Sequence, residues 1–291
     1  PAVVAVKVRR NEALLQEALR QRPNDAHLRV HLAQTYAAAR RFPEAEAELT
    51  AVLEGPRIAK VPHNLVAEYH VLRATYRLLN GQTVAVIHDL ERAKALHPEW
   101  GIPYTELVRL RFNAEEWESV VELADAGRGR SFAPGVHNFR VVRARCLLDF
   151  YAGRALRKLG EPDGAAECLR RAVAIDPTLL EARLELGDLQ LERAEYPAAL
   201  ETLEPAGKDE EALPHFAELA TGIALARYMG GDEAGAQACL VPLLDLFAAQ
   251  LRNARDVDPM QLAEAALRAG QARAARNLVS LFQHSLQAEA A

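Results

Sequence analysis

The sequence predicts an all-α protein made of stacked antiparallel helical hairpins, and three observations predict it. Apolar residues recur at helical spacing along most of the 291 residues, with no alternating strand pattern. Gly153, Ala165, Leu169 and Ala172 are each followed 34 positions later by a like residue, at Gly187, Ala199, Leu203 and Ala206. Within each unit the small residue stands 12 before an alanine and 16 before a leucine, and Ala33, Ala45 and Leu49 repeat that spacing. Two antiparallel helices cross closely only where small side chains meet. Gly153, Ala165 and Ala172 supply such crossings, and Tyr36, Leu156 and Leu169 fill the gaps between them. One hairpin cannot bury its own apolar face, so the repeats are expected to stack into a right-handed superhelix, a solenoid.

The elements follow in order. Residues 1–25 form a lead-in segment and an opening helix over 8–21, with Leu14, Leu15, Ala18 and Leu19 on one face. Pro23-Asn24-Asp25 caps the first hairpin, 26–54. A second spans 64–97, one residue out of register across the Gly81 turn. A third, degenerate pair covers 99–126, with Trp117 and Val121 packed inside. These hairpins make an N-terminal block, 26–126. The loop 127–137, "GRGRSFAPGVH", leads to a C-terminal block, 138–288, with hairpins at 138–177, 179–205, 214–251 and 259–288, the whole being one continuous solenoid. Gly160-Glu161-Pro162 and Ala194-Glu195-Tyr196 mark turns between helices. Pro98 and Pro177 end second helices, because proline lacks an amide donor and its ring clashes with the preceding turn.

With its 34-residue period and these small-residue positions, the chain resembles the tetratricopeptide repeat family over most of its length. The resemblance implies that first helices line a concave surface that holds a protein or peptide. His27, His31 and Gln34 lie on one such helix, Arg154, Arg157 and Lys158 on another, and Glu181, Glu185, Asp188 and Glu192 on the next. The neighbouring opposite charges read first as an exposed ladder and alternatively as a bipolar groove for a peptide. Members that grip a chaperone's terminal carboxylate use a Lys and Asn arrangement, whereas Val30 and Gln34 stand at the matching places here. The opening residues, "PAVVAVKVRRNEALL", followed by Pro23-Asn24-Asp25 and "HLAQTYAAARRFPEAEAEL", resemble the junction behind the catalytic domain of bacterial family-two glycosyltransferases, with Lys7, Arg10 and Asn11 at the matching positions. That resemblance implies the C-terminal module of a larger protein, recruiting an acceptor for a transferase whose own residues are absent from this stretch.

Composition and motifs argue against other classes. Net charge is −5 with both signs interleaved, so no basic field exists for nucleic acid. Apolar runs such as 3–6 and 240–244 are far below the roughly 20 residues of a membrane helix, and no signal-peptide pattern is present, which makes a cytoplasmic location the expectation. Cys146, Cys168 and Cys239 form no Cys-x-x-Cys pair and read as buried small hydrophobes. His27 and His31 stand at metal-sharing spacing without a third ligand, so no metal site is expected. Asp256-Val257-Asp258 copies a nucleotide-sugar pattern, but before Pro259 it reads as a helix cap. No phosphate loop, nucleophile elbow or zinc-protease motif occurs. A non-catalytic binding scaffold without cofactors is expected, with a protein or peptide partner and self-association through the solenoid ends as a further alternative.

Overall fold

A computed structural model describes residues 2–132, 141–206, 215–247 and 259–289. Among them are fifteen α-helices and no β-strand. They are α1 (Ala2–Gln21), α2 (Ala26–Ala38), α3 (Phe42–Leu53), α4 (His63–Leu79), α5 (Thr83–Leu96), α6 (Ile102–Asn113), α7 (Trp117–Arg128), α8 (Val141–Lys158), α9 (Pro162–Ile175), α10 (Leu180–Glu192), α11 (Tyr196–Leu203), α12 (Phe216–Met229), α13 (Glu233–Leu246), α14 (Pro259–Arg268) and α15 (Ala272–Glu289). The chain divides into two compact units, residues 1–155 and 156–291.

The helices start and stop for local reasons. The Asp25 carboxylate accepts the Leu28 amide at 3.2 Å and so caps α2. Prolines at the first turn of α3, α6, α9 and α11 occupy positions whose amide needs no helical partner. Every hairpin turn is closed the same way. One residue turns into the left-handed region, at Arg40, Gly81, Glu115, Gly160, Ala194, Gly231 and Gly270. The next amide then reaches back to a carbonyl five residues earlier, as from Gln82 to Arg77 and from Glu195 to Gln190. Four turns use glycine, whereas Arg40, Glu115 and Ala194 hold φ near 59° with a side chain attached. Relief of that strain, about 1–2 kcal/mol, exceeds the added unfolded-state entropy of glycine, about 0.5–1 kcal/mol. Ala194→Gly is therefore expected to raise the thermal midpoint by a few degrees; a lower midpoint would contradict the left-handed turn.

The same frame is buried from hairpin to hairpin. Ala33, Ala45, Leu49 and Val52 are at most 5 % exposed, and the corresponding Ala74, Val86, Leu90 and Ala93 at most 2 %. The second hairpin is thus in register; the expected one-residue slip came from Val86, which stands where the first hairpin carries Ala45. The third hairpin also keeps the frame, with Val108, Val120 and Ala124 fully buried and Gly127 against Tyr104 and Leu148. Val120 takes the core position expected of Val121, and Trp117 is half-buried against Phe112. On α1, Leu15 and Leu19 pack on the core, but Leu14 is 64 % exposed, because α1 is covered by α2 on one side only.

In unit 1 successive helices α1 to α7 pack in order. In unit 2 that order runs from α9 to α13 and then changes: α15, rather than α14, lies against α12. Helices α12 to α15 share one apolar cluster, with Leu225, Leu243, Leu262 and Leu278 among its buried members.

Candidate functional site

Unit 1 holds an open groove of about 660 Å³ between α1 and α2. Its floor and walls are Val8, Leu14, Leu15 and Ala38, with Lys7, Asn11, His31, Gln34 and Thr35 as the polar lining. Polar contacts tie α1 to α2 and to the turn that follows it. Arg41 meets the Glu12 carboxylate at 3.0 Å, and the Gln16 amide donates to the Tyr36 hydroxyl at 3.2 Å. His31 and Gln34, both singled out in the sequence, line this groove. His27 sits one turn earlier on α2, its Nε2 2.9 Å from that of His31 with the rings nearly perpendicular. Leu14, Lys7 and Asn11 complete the site.

Deeper in unit 1 lies a polar cluster that sequence reasoning did not find. Asp89 on α5 is fully buried and accepts from His70 Nδ1 at 2.8 Å, from Arg73 at 2.6 Å and from Arg77 at 2.8 Å. Burial pushes its carboxyl up, but the hydrogen bonds from His70 and Arg73 and the two guanidinium charges outweigh this and hold it below the ordinary aspartate value. Arg77 also reaches Glu46 on α3 at 2.9 Å. The cluster ties α3, α4 and α5 together and lies away from solvent.

In unit 2 the charges predicted on first helices meet a partner from far along the chain. Arg157 contacts Glu185 at 3.0 Å, and also Glu192 and Asp188. From α15, Arg273 reaches Glu185 at 3.1 Å and Asp188 at 3.0 Å, and Arg276 reaches Asp188 at 2.9 Å. Burial pushes the Asp188 carboxyl up, against the opposing pull of Arg273, Arg276 and Arg157. Lys158 and Glu181 are exposed. Arg154, described with unit 1, lies over the Phe112 ring at 4.7 Å and the Phe150 ring at 5.5 Å. The arginines of α15 are spaced like a helix face in the sequence, but no local pattern announces that they cover α10, 88 residues earlier.

Among the described residues no group of three or more histidine, cysteine or acidic side chains converges on a metal position. Asp256 and Asp258 lie outside the described residues. Cys146, Cys168 and Cys239 are free thiols, the first two buried. No described helix is long and apolar enough to cross a membrane.

Helical hairpins with a shared buried frame and a groove on a first helix define an all-α helical-repeat protein. The model of the tetratricopeptide repeat family matches residues 12–57 and 156–223, so those two stretches are similar to that repeat. Solved structures agree on the fold. The C-terminal part of a tetratricopeptide-repeat protein of Cytophaga hutchinsonii superposes with a TM-score of 0.61 at 12 % identity, over 84 % of this chain and 94 % of that one. PilF of Pseudomonas aeruginosa gives 0.57 at 14 % identity, over 77 % and 92 %. A tetratricopeptide repeat protein of Parabacteroides merdae gives 0.51 at 14 %, over 89 % and 97 %. No curated protein matches the sequence.

Proposed function

We propose that this chain is a non-catalytic scaffold that holds an extended segment of a partner protein in the groove between α1 and α2. The observation that carries it is the groove's make-up. At about 660 Å³ it falls within the size of ligand sites, and exposed Leu14 stands beside Lys7, Asn11, His31 and Gln34. An apolar side chain of the guest rests on Leu14, Leu15 and Ala38. Its backbone amides and an acidic group are met by Asn11, Gln34 and Lys7. Acceptor recruitment for a sugar transferase is the second reading, supported by Lys7 and Asn11, which carry the junction resemblance and also line the groove. In that case the bound segment comes from a glycosylated protein.

Selection of a random peptide library on the full chain tests this. Binders are expected, and Leu14→Glu should weaken them about tenfold while the melting temperature stays unchanged, since Leu14 is 64 % exposed. No binders, or binders indifferent to both Leu14→Glu and Gln34→Ala, would overturn the assignment.

A further inference from the structure

Resting on the reading of the α1 and α2 groove as a peptide site, we infer which guest it takes: an acidic, proline-rich segment in the polyproline II conformation, with a carboxylate side chain three residues from a large apolar one. Charge around the groove sets the first requirement. Helix α2 carries no acidic residue, and the first on α1 is Glu12. Glu12 is not part of the lining, and both its oxygens accept from Arg41, at 3.0 and 3.1 Å. Glu17, further along α1, pairs with Arg20. Lys7 lines the groove, is exposed, and makes no ion pair among the described residues. Arg10, three past Lys7 and four before Leu14, stands on the adjoining strip of α1, and it too is exposed and without an ion pair among the described residues. The groove therefore meets its guest with uncompensated positive charge and no carboxylate.

Helix geometry sets the second requirement. Lys7 and the exposed Leu14 are separated by nearly two turns of α1, so they share a face about 10 Å apart. Both walls are helices, whose interior amides and carbonyls are paired within the helix, so a flat β-strand guest finds no ladder for its edge. A polyproline II chain needs none. Its three residues per turn, at about 3.1 Å each, put side chains i and i+3 on one face about 9 Å apart. That matches the interval from Leu14 to Lys7, whereas a β-strand turns its i+3 side chain to the opposite face. Proline at the two intervening positions removes amide donors that these walls cannot meet and lowers the cost of ordering the guest. Asn11 lies between Lys7 and Leu14 with its side-chain amide free among the described residues, and it donates to a guest carbonyl there.

The test is titration of the full chain with acetyl-Gly-Leu-Pro-Pro-Glu-Gly-amide and with its reversed order, acetyl-Gly-Glu-Pro-Pro-Leu-Gly-amide, followed by amide chemical shifts. Binding of at least one is expected, with shifts at residues 7–15 and 31–38. Glutamine in place of the peptide's glutamate should weaken it about threefold, and lysine about tenfold. Raising the salt to about 0.5 M should bring the glutamate and glutamine peptides together. In Lys7→Glu the order should reverse, so that the lysine peptide binds better than the glutamate one. Binding by neither peptide, equal affinity for the glutamate and glutamine forms, or an unchanged preference in Lys7→Glu would overturn the proposal. So would tighter binding of a helical peptide whose glutamate stands seven residues from its leucine, which would assign a helical guest. The library selection separates this inference from the groove itself: binders that depend on Leu14 but carry no acidic residue leave the groove standing and remove this guest, whereas an empty selection removes both.

Discussion

Asp89→Asn is expected to destabilise the protein by about 3–5 kcal/mol, read as a lower urea midpoint. The substitution keeps the side chain's volume and removes its charge. Arg73, only 7 % exposed, then loses the carboxylate that receives both its Nε and its Nη2, and the hydroxyl of Thr50 at 3.3 Å is a poor substitute. Arg77 keeps Glu46 and suffers less. An uncompensated buried cation costs far more than the pair contributed, which sets the size of the effect. Its pH dependence follows from the depressed carboxyl. The stabilisation from Asp89 is complete above the ordinary aspartate value of 3.8 and is lost as pH falls through the lower native value. The gap between wild type and Asp89→Asn should therefore close under strong acid. A gap that persists there, or a substitution costing less than about 1 kcal/mol, would show that the cluster is not ionised as described.

Gly187→Leu is expected to cost about 3 kcal/mol or more, at the upper end of overpacking effects. A Cβ at Gly187 would stand 2.5 Å from Leu203 Cδ2 and 2.8 Å from its Cγ, so even the first added carbon overlaps. Leu203 has nowhere to go. It is 2 % exposed, and on another side its Cδ1 is 3.0 Å from where a Cβ on Gly222 would be. The control is Gly129→Ala, where an added Cβ meets nothing within 4 Å, and this should leave the midpoint within about 0.5 kcal/mol of wild type. A Gly187→Leu protein that melts with wild type would mean that α10 and α11 do not cross at this pair.

The Gly187 and Leu203 crossing was readable in the sequence because both residues belong to one hairpin, and a hairpin's internal geometry depends on spacing alone. The third hairpin was harder to read, since Val108 and Val120 replace the small residues that mark the others, although both are fully buried. The small residue of that hairpin comes at Gly127, the last frame position of α7, where Tyr104 and Leu148 approach. On α1, the apolar stripe showed which residues share a face but not how much of it α2 covers, and so Leu14 belongs to the groove rather than the core.

By itself the sequence determined the all-α class, the hairpin as the repeated unit, its turns, and the small residues on which helices cross, because these follow from interactions between residues close along the chain. Only the tertiary structure decided which polar groups meet. Asp89 gathers His70, Arg73 and Arg77 from another helix, and Asp188 receives Arg157 together with Arg273 and Arg276 from a helix 88 residues away. The physical reason is that a charge pairs with whatever packing brings within a few ångströms. That packing changed at the last hairpin, where α15 took the place beside α12.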